Sequence, residues 1–480
     1  MTIDHFSSAT QMLAALHDKT ISAQELTELH IKRIEAHDPA LNAIPVLTFD
    51  RAREAAKQAD KRLAAGEREP LLGLPMTLKE STLVAGLPQT AGILDFKGYT
   101  PGLDGVVATK VFAAGACLLG KTNIPVALGD WQADSPVYGR TNNPWDLTRT
   151  PGGSTGGGGA ALAAGLTPLE VGSDIGGSVR VPAAYCGCYG HRPSETAIPK
   201  SGAFPMADLP NPAFLMGVQG PLARTATDLE LLFDVMAGPD IGESVAWSLN
   251  LPAPRANTLK DFRVAVMPSV LDVHCSSQMR GKLDALVELL KQEGAQVAEA
   301  APAINMAEYF HDYARLLNIM VTQGQSREER VAAAAAIRDV GDELAMAQAD
   351  GLDMDANSFL ALVNRRAGAA MAWQQFFQSW DVVIAPMTLD SAFEHQSGGF
   401  EERNLIVDNQ DLPYFANIMY PMLAIFTGLP STAFPAGLDK QGLPLGLQAI
   451  GPYLEDRTPL KFAQLVEQAW GGFAPPPGYA

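Results

Sequence analysis

Cysteine and basic residues are scarce in this sequence, and long apolar runs are missing. Four cysteines in 480 residues are too few for a disulfide scaffold. The 35 lysines and arginines stand against 53 aspartates and glutamates, which gives a net charge of −18, and no run of five basic residues occurs. An acidic surface repels phosphate backbones, so no nucleic-acid partner is expected. Without a run of 18 apolar residues, no membrane span is expected either.

Other signals are missing as well. The first residues lack the basic and apolar segments of a secretory signal, which makes the cytoplasm the expected compartment. Cys186 and Cys188 are spaced as in some redox or metal sites. No second Cys/His pair stands at zinc-finger spacing, so we expect buried structural thiols. No HExxH motif or cluster of His, Asp and Glu occurs, and we predict neither a metal nor another cofactor.

Strand-like and helix-like segments alternate along the chain, which predicts an α/β fold. Residues 7–66 have helical apolar spacing, with Ser22 placed as an N-cap. We find no linker and no internal repeat, so we expect one domain, 1–480, with an inserted, mainly helical region at about 200–375. Strands are predicted near 71–79, 117–120, 171–174, 261–267, 380–386 and 445–450, and helices near 106–116, 160–164, 276–294, 306–379 and 458–470.

Two glycine-rich segments, 151–159 and 172–180, each contain a serine. Glycine clusters let the backbone approach a ligand and direct several N–H groups to one point, although either segment alone could be turn material. A phosphate-binding P-loop is excluded because no Gly-Lys-Ser/Thr follows the first segment. A dinucleotide fingerprint is excluded because no strand precedes the glycines.

Residues 152–156 match the G-x-S-x-G pattern of a nucleophile elbow. That elbow also needs a preceding strand, which is missing here, and a later Asp and His. A Ser-His-Asp hydrolase is therefore disfavoured. The later histidines, none in a suggestive setting, are His191, His274, His311 and His395.

Lys79 offers a different base, because it follows the apolar residues 74–78 at a predicted strand end. A buried lysine loses its charge more easily and can then accept a proton. Spacing alone leaves open a solvated lysine at this position.

Residues 73–80, 152–157 and 172–187 resemble the three motifs of the amidase signature family. The resemblance covers most of the chain and is least between about 200 and 375. It implies one large domain with a central mixed β-sheet covered by helices on both faces. It also implies a hydrolase of carboxamides, or a relative acting on esters or carbamates. Further segments that resemble the family are 120–123, 140–145, 380–386, 428–430 and 442–448.

The resemblance also implies roles for individual residues. Ser178 corresponds to the nucleophile, Ser154 to the bridging serine in a cis peptide, and Lys79 to the base. The 24-residue separation of the two serines is the family's spacing. The backbone N–H groups expected to form the oxyanion hole are those of Ile175, Gly176, Gly177 and Ser178.

Two departures from the family pattern lie beside the first serine. Thr155 stands where many members have a second serine, and Gly158 or Gly159 stands where some carry Ser. Neither affects the three catalytic positions. Asp174 and Arg180 bracket the second glycine segment, and we interpret them as a structural pair.

Substrate choice is less defined by the sequence. Aromatic and polar residues near 130 and 414 could line a pocket, but they could equally pack in the core. If they line the pocket, an aryl or other apolar group is favoured. The candidates are Asp130, Trp131, Gln132, Tyr414, Phe415 and Tyr420.

These features predict an amidohydrolase that acts on a small-molecule amide through an acyl-enzyme on Ser178, as a monomer or homodimer without a nucleic-acid or membrane partner. The alternative is the glutaminase-type amidotransferase component of a tRNA-dependent transamidation complex. Residues 128–135 lack the Met/Ser/Thr-rich composition expected for that class, and the charge of −18 disfavours tRNA contact. A non-catalytic binding protein is the third possibility, and the intact set of Lys79 and two serines argues against it.

Overall fold

Strands and helices alternate along the described chain, which comprises residues 3–203 and 209–480 of a computed structural model. The strands are β1 (Val46–Leu47), β2 (Pro75–Lys79), β3 (Cys117–Thr122), β4 (Asp134–Ser135), β5 (Gly139–Arg140), β6 (Leu169–Asp174), β7 (Tyr189–Arg192), β8 (Val218–Ala223), β9 (Arg263–Val266), β10 (Ser269–Val270), β11 (Val273–His274), β12 (Gln296–Glu299), β13 (Val382–Pro386), β14 (Asn404–Val407), β15 (Gln410–Pro413), β16 (Ser431–Leu438) and β17 (Pro444–Ile450).

Eleven strands form one central sheet in the order β1-β3-β2-β6-β8-β7-β16-β17-β13-β9-β12. The pairs β2–β3, β2–β6, β9–β12 and β9–β13 are parallel. The remaining pairs are antiparallel. The sheet is therefore mixed, as predicted, and the remaining short strands form separate two-stranded ribbons.

Helices flank both faces of this sheet. They are α1 (Ala9–His17), α2 (Ala23–Leu41), α3 (Phe49–Ala64), α4 (Val106–Ala113), α5 (Gly156–Ala163), α6 (Arg180–Cys186), α7 (Ala226–Met236), α8 (Ser277–Gln292), α9 (Met306–Val321), α10 (Arg327–Arg338), α11 (Glu343–Asp353), α12 (Ala356–Phe376), α13 (Met422–Ile425) and α14 (Arg457–Trp470). The capping box predicted at Ser22 is present, since its side chain accepts from the Glu25 N–H. No helix in the described ranges is long and apolar enough to cross a bilayer.

The strands that carry the candidate site lie in the middle of the sheet and are buried along their whole length. Every residue of β2, β3 and β6 is buried. Such strands have no solvated face, so polar side chains on them must find partners inside the protein. This position makes the polar residues of β2 and β6 informative about function.

Helix α5 begins at Gly156, four residues before the predicted start at Ala160. The difference has a packing cause. A Cβ on Gly157 would lie 2.3 Å from the backbone N of Asn123, and one on Gly158 would lie 2.5 Å from Cγ of Glu170. These glycines are helical, and they let α5 approach the sheet more closely than any other residue would allow.

The region at about 200–375 is mainly helical, but it is not separate from the sheet. It contributes β8, β9 and β12 to the central sheet, and its helices include the consecutive set α9 to α12. Helices α10 and α11 form a hairpin with a small core of its own, made by Ala334, Ala349 and Leu352. This hairpin packs on α9 and covers one side of the cavity described below.

Candidate active site

Lys79 ends strand β2 and is completely buried. Its Nζ donates to Ser154 Oγ at 2.7 Å and to Ser173 Oγ at 3.0 Å. The structure therefore excludes the solvated lysine that the sequence left open. Ser173 was not predicted as a site residue, although it lies directly before Asp174 in a motif that resembles the family.

Burial shapes the acid–base chemistry of Lys79. Desolvation lowers the pKa of its amine from 10.5 to about 7, because the charged form is disfavoured away from water. The negative charges of Glu170 and Asp174 oppose this shift. A lysine that titrates near neutrality is partly unprotonated at pH 7, and its free amine can accept a proton.

Ser154 lies in the turn that precedes α5, and the Gly153–Ser154 peptide bond is cis, as the resemblance implies. The turn packs tightly, since a Cβ on Gly153 would lie 2.3 Å from the carbonyl oxygen of Asp130. Ser154 is 1% exposed and lines a cavity. Its hydroxyl therefore lies between the buried Lys79 amine and the space where a ligand would bind.

Ser178 lies between β6 and α6, next to Gly177 with φ of 88°. A Cβ on Gly177 would lie 2.9 Å from Cγ2 of Val181, so this turn requires glycine. Ser178 lines the same cavity as Ser154. The N–H of Thr155 donates to the Ser178 carbonyl at 3.2 Å and links the two serine-bearing turns.

Asp174 organises the turn around Ser178. Its carboxylate accepts from Arg180 Nε at 3.0 Å and lies 3.5 Å from Nη1 of Arg192. The predicted Asp174–Arg180 pair is thus confirmed. Burial alone would raise the pKa of Asp174, but the two guanidinium groups and the hydrogen bonds lower it to about 2. The carboxylate therefore stays charged and holds the turn.

The prediction of four oxyanion donors needs one correction. The Gly177 N–H donates to the Asp174 carboxylate at 3.1 Å and is therefore occupied. Within residues 3–203 and 209–480, no protein acceptor pairs with the N–H groups of Ile175, Gly176 or Ser178. These three donors surround the nucleophile position and remain available to a ligand.

Two aromatic side chains fix the peptide groups that carry these donors. Trp131 Nε1 donates to the Gly176 carbonyl at 2.9 Å, and the Tyr313 hydroxyl donates to the Ile175 carbonyl at 3.1 Å. Holding the carbonyl oxygens also orients the N–H groups of the same turn. Tyr313 lies on α9, far along the chain, and no local pattern in the sequence pointed to it.

The two serines open into a cavity of about 590 Å³. Most of its wall is apolar, and much of that wall comes from α9, α10 and the segments around 400 and 415. The apolar side chains that line it include Ile93, Leu128, Trp131, Phe214, Leu317, Met320, Val321, Ile337, Phe400, Phe415 and Ile418.

Three of the predicted pocket residues lie on this wall, namely Asp130, Trp131 and Phe415. Asp130 is not free to bind a cation, because Arg403 Nη1 lies 2.6 Å from Oδ2 and the Tyr414 hydroxyl donates to Oδ1 at 2.6 Å. The carboxylate is thus neutralised by the protein. The accessible part of the wall presents aromatic and aliphatic groups.

The other three predicted pocket residues lie behind the wall. Gln132 exchanges two hydrogen bonds with the Gln396 backbone, at 3.0 and 2.9 Å. Tyr414 is 1% exposed and packs with its ring centroid 5.4 Å from that of Trp131. The Tyr420 hydroxyl donates to the Pro268 carbonyl at 3.0 Å. Their polar groups are satisfied inside the protein, which corrects the prediction that they contact substrate.

The cysteines are structural, as predicted. All four are buried and unpaired. Burial raises the pKa of the Cys188 thiol to about 12, which leaves it uncharged and unreactive at neutral pH.

Comparison with known proteins identifies the family. The family model described as Amidase matches residues 25–460. The chain therefore belongs to the amidase signature family, as the sequence motifs indicated. Its relatives comprise both free amidases and components of amidotransferases.

Three curated relatives represent this range. An amidase named AmiB2 from Mycobacterium tuberculosis is 32% identical, with 97% of this chain and 96% of that protein covered. The matching component of the glutamyl-tRNA(Gln) amidotransferase of Halorhodospira halophila is 31% identical, with 97% of each covered. Indoleacetamide hydrolase of Bradyrhizobium diazoefficiens is 31% identical, with 97% of this chain and 87% of that protein covered.

Solved structures agree on the fold. A bacterial aryl acylamidase of the amidase signature family superposes with a TM-score of 0.80 at 25% identity, covering 97% of each chain. A 6-aminohexanoate cyclic dimer hydrolase complexed with substrate gives a TM-score of 0.80 at 25% identity and covers both chains fully.

Proposed function

We propose that this protein hydrolyses carboxamides through an acyl-enzyme on Ser178. The observation that carries the proposal is the buried Lys79 amine, 2.7 Å from Ser154 Oγ, with Ser154 and Ser178 on the wall of one cavity. A neutral amine in this position is the base that a serine nucleophile needs.

The proposed reaction begins with proton transfer. Neutral Lys79 accepts the Ser154 proton while Ser154 accepts the proton of Ser178. The Ser178 oxygen then attacks the amide carbonyl and forms a tetrahedral intermediate. The free N–H groups of Ile175, Gly176 and Ser178 support this step, since each donor in such a hole contributes about 3 kcal/mol to lowering the barrier.

The same relay runs in reverse to complete the turnover. Lys79 returns the proton through Ser154 to the leaving nitrogen, the C–N bond breaks and the amine departs. Water then attacks the acyl-enzyme, with the relay again taking and returning a proton. The products are a carboxylic acid and ammonia or an amine.

The apolar cavity favours amides with an aryl or alkyl group over small aliphatic amides. An apolar group buried in such a cavity gains about 25 cal/mol per Å² removed from water. Esters and carbamates with similar groups are further candidates, because the nucleophile attacks the same kind of carbonyl carbon.

The test compares amine release from acyl anilides, primary aryl amides and acetamide by the purified protein and by three variants, Lys79→Ala, Ser154→Ala and Ser178→Ala. We expect the aryl substrates to be cleaved faster than acetamide and each variant to lose activity. Wild-type rates in all three variants would overturn the proposal. Mass-spectrometric detection of an acyl or phosphonyl adduct on Ser178 would identify the nucleophile directly.

The second candidate is a component of an amidotransferase, favoured by the 31% identity to the Halorhodospira protein. The apolar wall argues against glutamine as the preferred amide. Glutamine hydrolysis that is faster than anilide hydrolysis, together with co-purifying partner chains, would reverse the order of the two candidates.

A further inference from the structure

A buried carboxyl group that the mechanism above does not use lies in the polar layer beneath Lys79. Glu170 is on β6, next to β2, and is completely inaccessible to solvent. In the sheet register Thr77 pairs with Glu170, and Lys79 pairs with Thr122 on the other side. Because residues two apart on a strand share a face, Thr77 and Lys79 lie on one face of β2.

Glu170 has one oxygen that is paired and one that is free. Its Oε1 accepts from Thr122 Oγ1 at 2.6 Å. Its Oε2 is buried without a hydrogen-bond partner among the residues that the structure describes. A carboxyl group packed inside a protein with half of its polar atoms unsatisfied is costly, so its retention calls for a role beyond packing.

The protein also makes room for this side chain. A Cβ on Gly158 would lie 2.5 Å from Cγ and 2.8 Å from Oε1 of Glu170. Gly158 is one of the positions where this sequence departs from the family pattern. The space that the departure leaves is filled by the carboxyl group.

We propose that Glu170 is a positioning residue for Lys79: its carboxyl group, held by Thr122, favours the ammonium form of Lys79 and so strengthens it as the acceptor of the Ser154 proton. This inference rests on the proposed function, because it assigns the partner of the same base. The proton itself still travels between the serines and Lys79, and Glu170 supplies charge without entering a bond change.

The other charged groups near Lys79 are already committed. Asp174, at the end of β6, is paired with Arg180 and Arg192. Its charge is therefore largely compensated. Among the residues that the structure describes, Glu170 has no such cationic partner besides Lys79, and its charge is the larger of the two that favour the ammonium.

The remaining neighbouring elements contribute little charge to this pocket. Helix α5 contains no ionisable residue. Lys121 on β3 donates instead to the Pro88 carbonyl, beside Glu80. His30 of α2 is buried, and burial lowers its pKa to about 3, so it is uncharged.

The pKa of Glu170 itself is raised by burial to about 8, while hydrogen bonds from Thr122 and Thr77 and the Lys79 charge lower it. Lys79 and Glu170 therefore titrate in the same range and as a coupled pair. The observable consequence is that a change at Glu170 moves the pH at which Lys79 becomes active.

The test is the pH dependence of kcat/KM for an acyl anilide in wild type, Glu170→Gln and Thr122→Val. Removing the carboxylate weakens the base, so we expect the acidic limb of Glu170→Gln to move to lower pH by about one unit, with a lower plateau. Thr122→Val removes the hydrogen bond that favours the carboxylate, so its limb moves in the same direction by less.

Glu80→Gln is the matched control. Glu80 is equally buried and is adjacent to Lys79 in sequence, but it pairs with the Tyr138 hydroxyl at 2.7 Å and the Ala91 N–H at 3.1 Å. This variant perturbs a buried carboxyl group without touching the Lys79 layer. We expect a change in KM, because Ala91 lines the cavity, and an unmoved acidic limb.

The outcomes separate the two proposals. An unmoved limb in Glu170→Gln, or one that moves to higher pH, overturns the role of Glu170. An equal shift in Glu80→Gln also overturns it, because the effect would then be structural. If Lys79→Ala retains full activity, the proposed function fails, whatever Glu170→Gln does.

Discussion

The two sides of the cavity are built differently. On one side, Lys79, Ser154 and Ser178 stand on buried strands and on tight turns next to them. On the other side, α9 and the α10–α11 hairpin present apolar side chains such as Leu317 and Ile337. The comparison teaches that this protein fixes its reacting groups on the sheet and leaves substrate selection to the helices.

The largest effect expected on the sheet side comes from Lys79→Met, which keeps the length of the side chain but removes the base. We expect kcat to fall by at least about 10³-fold, since relay members of serine hydrolases act as a unit. Binding of an aryl amide, measured by calorimetry, should be little changed because the wall is intact. A large loss of binding as well would break the separation between the two sides.

The pH profile of the wild-type protein gives the next largest effect. Lys79 must be neutral to act, and its pKa lies at about 7. We therefore expect kcat/KM to fall by about tenfold per pH unit as the pH drops below this value, and to level off above it. A profile that is flat from about pH 5 to 9 would exclude Lys79 as the base.

Close packing beneath the site can be tested with Gly157→Ala. The new Cβ would lie 2.3 Å from the Asn123 backbone nitrogen, so we expect the free energy of unfolding to fall by about 3 kcal/mol. Gly368→Ala on α12 is the control, because its Cβ meets nothing within 4 Å. There alanine should stabilise the helix by up to about 1 kcal/mol. Chemical denaturation of both variants measures the contrast.

The smallest effect is expected on the helical wall. Leu317→Ala removes apolar surface from the cavity, so kcat/KM for an acyl anilide should fall by about tenfold while that for acetamide stays within about twofold. Leu360→Ala is the control, because this side chain is 59% exposed and lies outside the cavity. Equal losses for both substrates in Leu317→Ala would show that the helices support the chemistry itself.

The sequence predicted the sheet side well and the helical side poorly, for a physical reason. Lys79, Ser154 and Ser178 sit in motifs where neighbouring residues set the local geometry, and the structure brings them together. Tyr313 and Leu317 reach the cavity only through the tertiary packing of α9. Nothing within a few residues of either one signals that contact.

Errors in the prediction have similar origins. Gly177 was expected to be a free donor, but Asp174 three residues earlier occupies its N–H. Gln132 and Tyr414 were expected to face substrate, but partners distant in sequence hold their polar groups. Sequence identifies residue types suited to a site, while the competition among partners is decided only in the folded chain.

Trp131 stands on both sides of this division. Its ring belongs to the cavity wall, and its indole nitrogen holds the Gly176 carbonyl beside the nucleophile. A mutational route to a wider substrate range that passes through Trp131 would therefore disturb catalysis at once. Routes through Leu317 or Phe415 carry no such cost, so new specificities in this lineage should arise from the helices and the 415 segment while Trp131 stays constant.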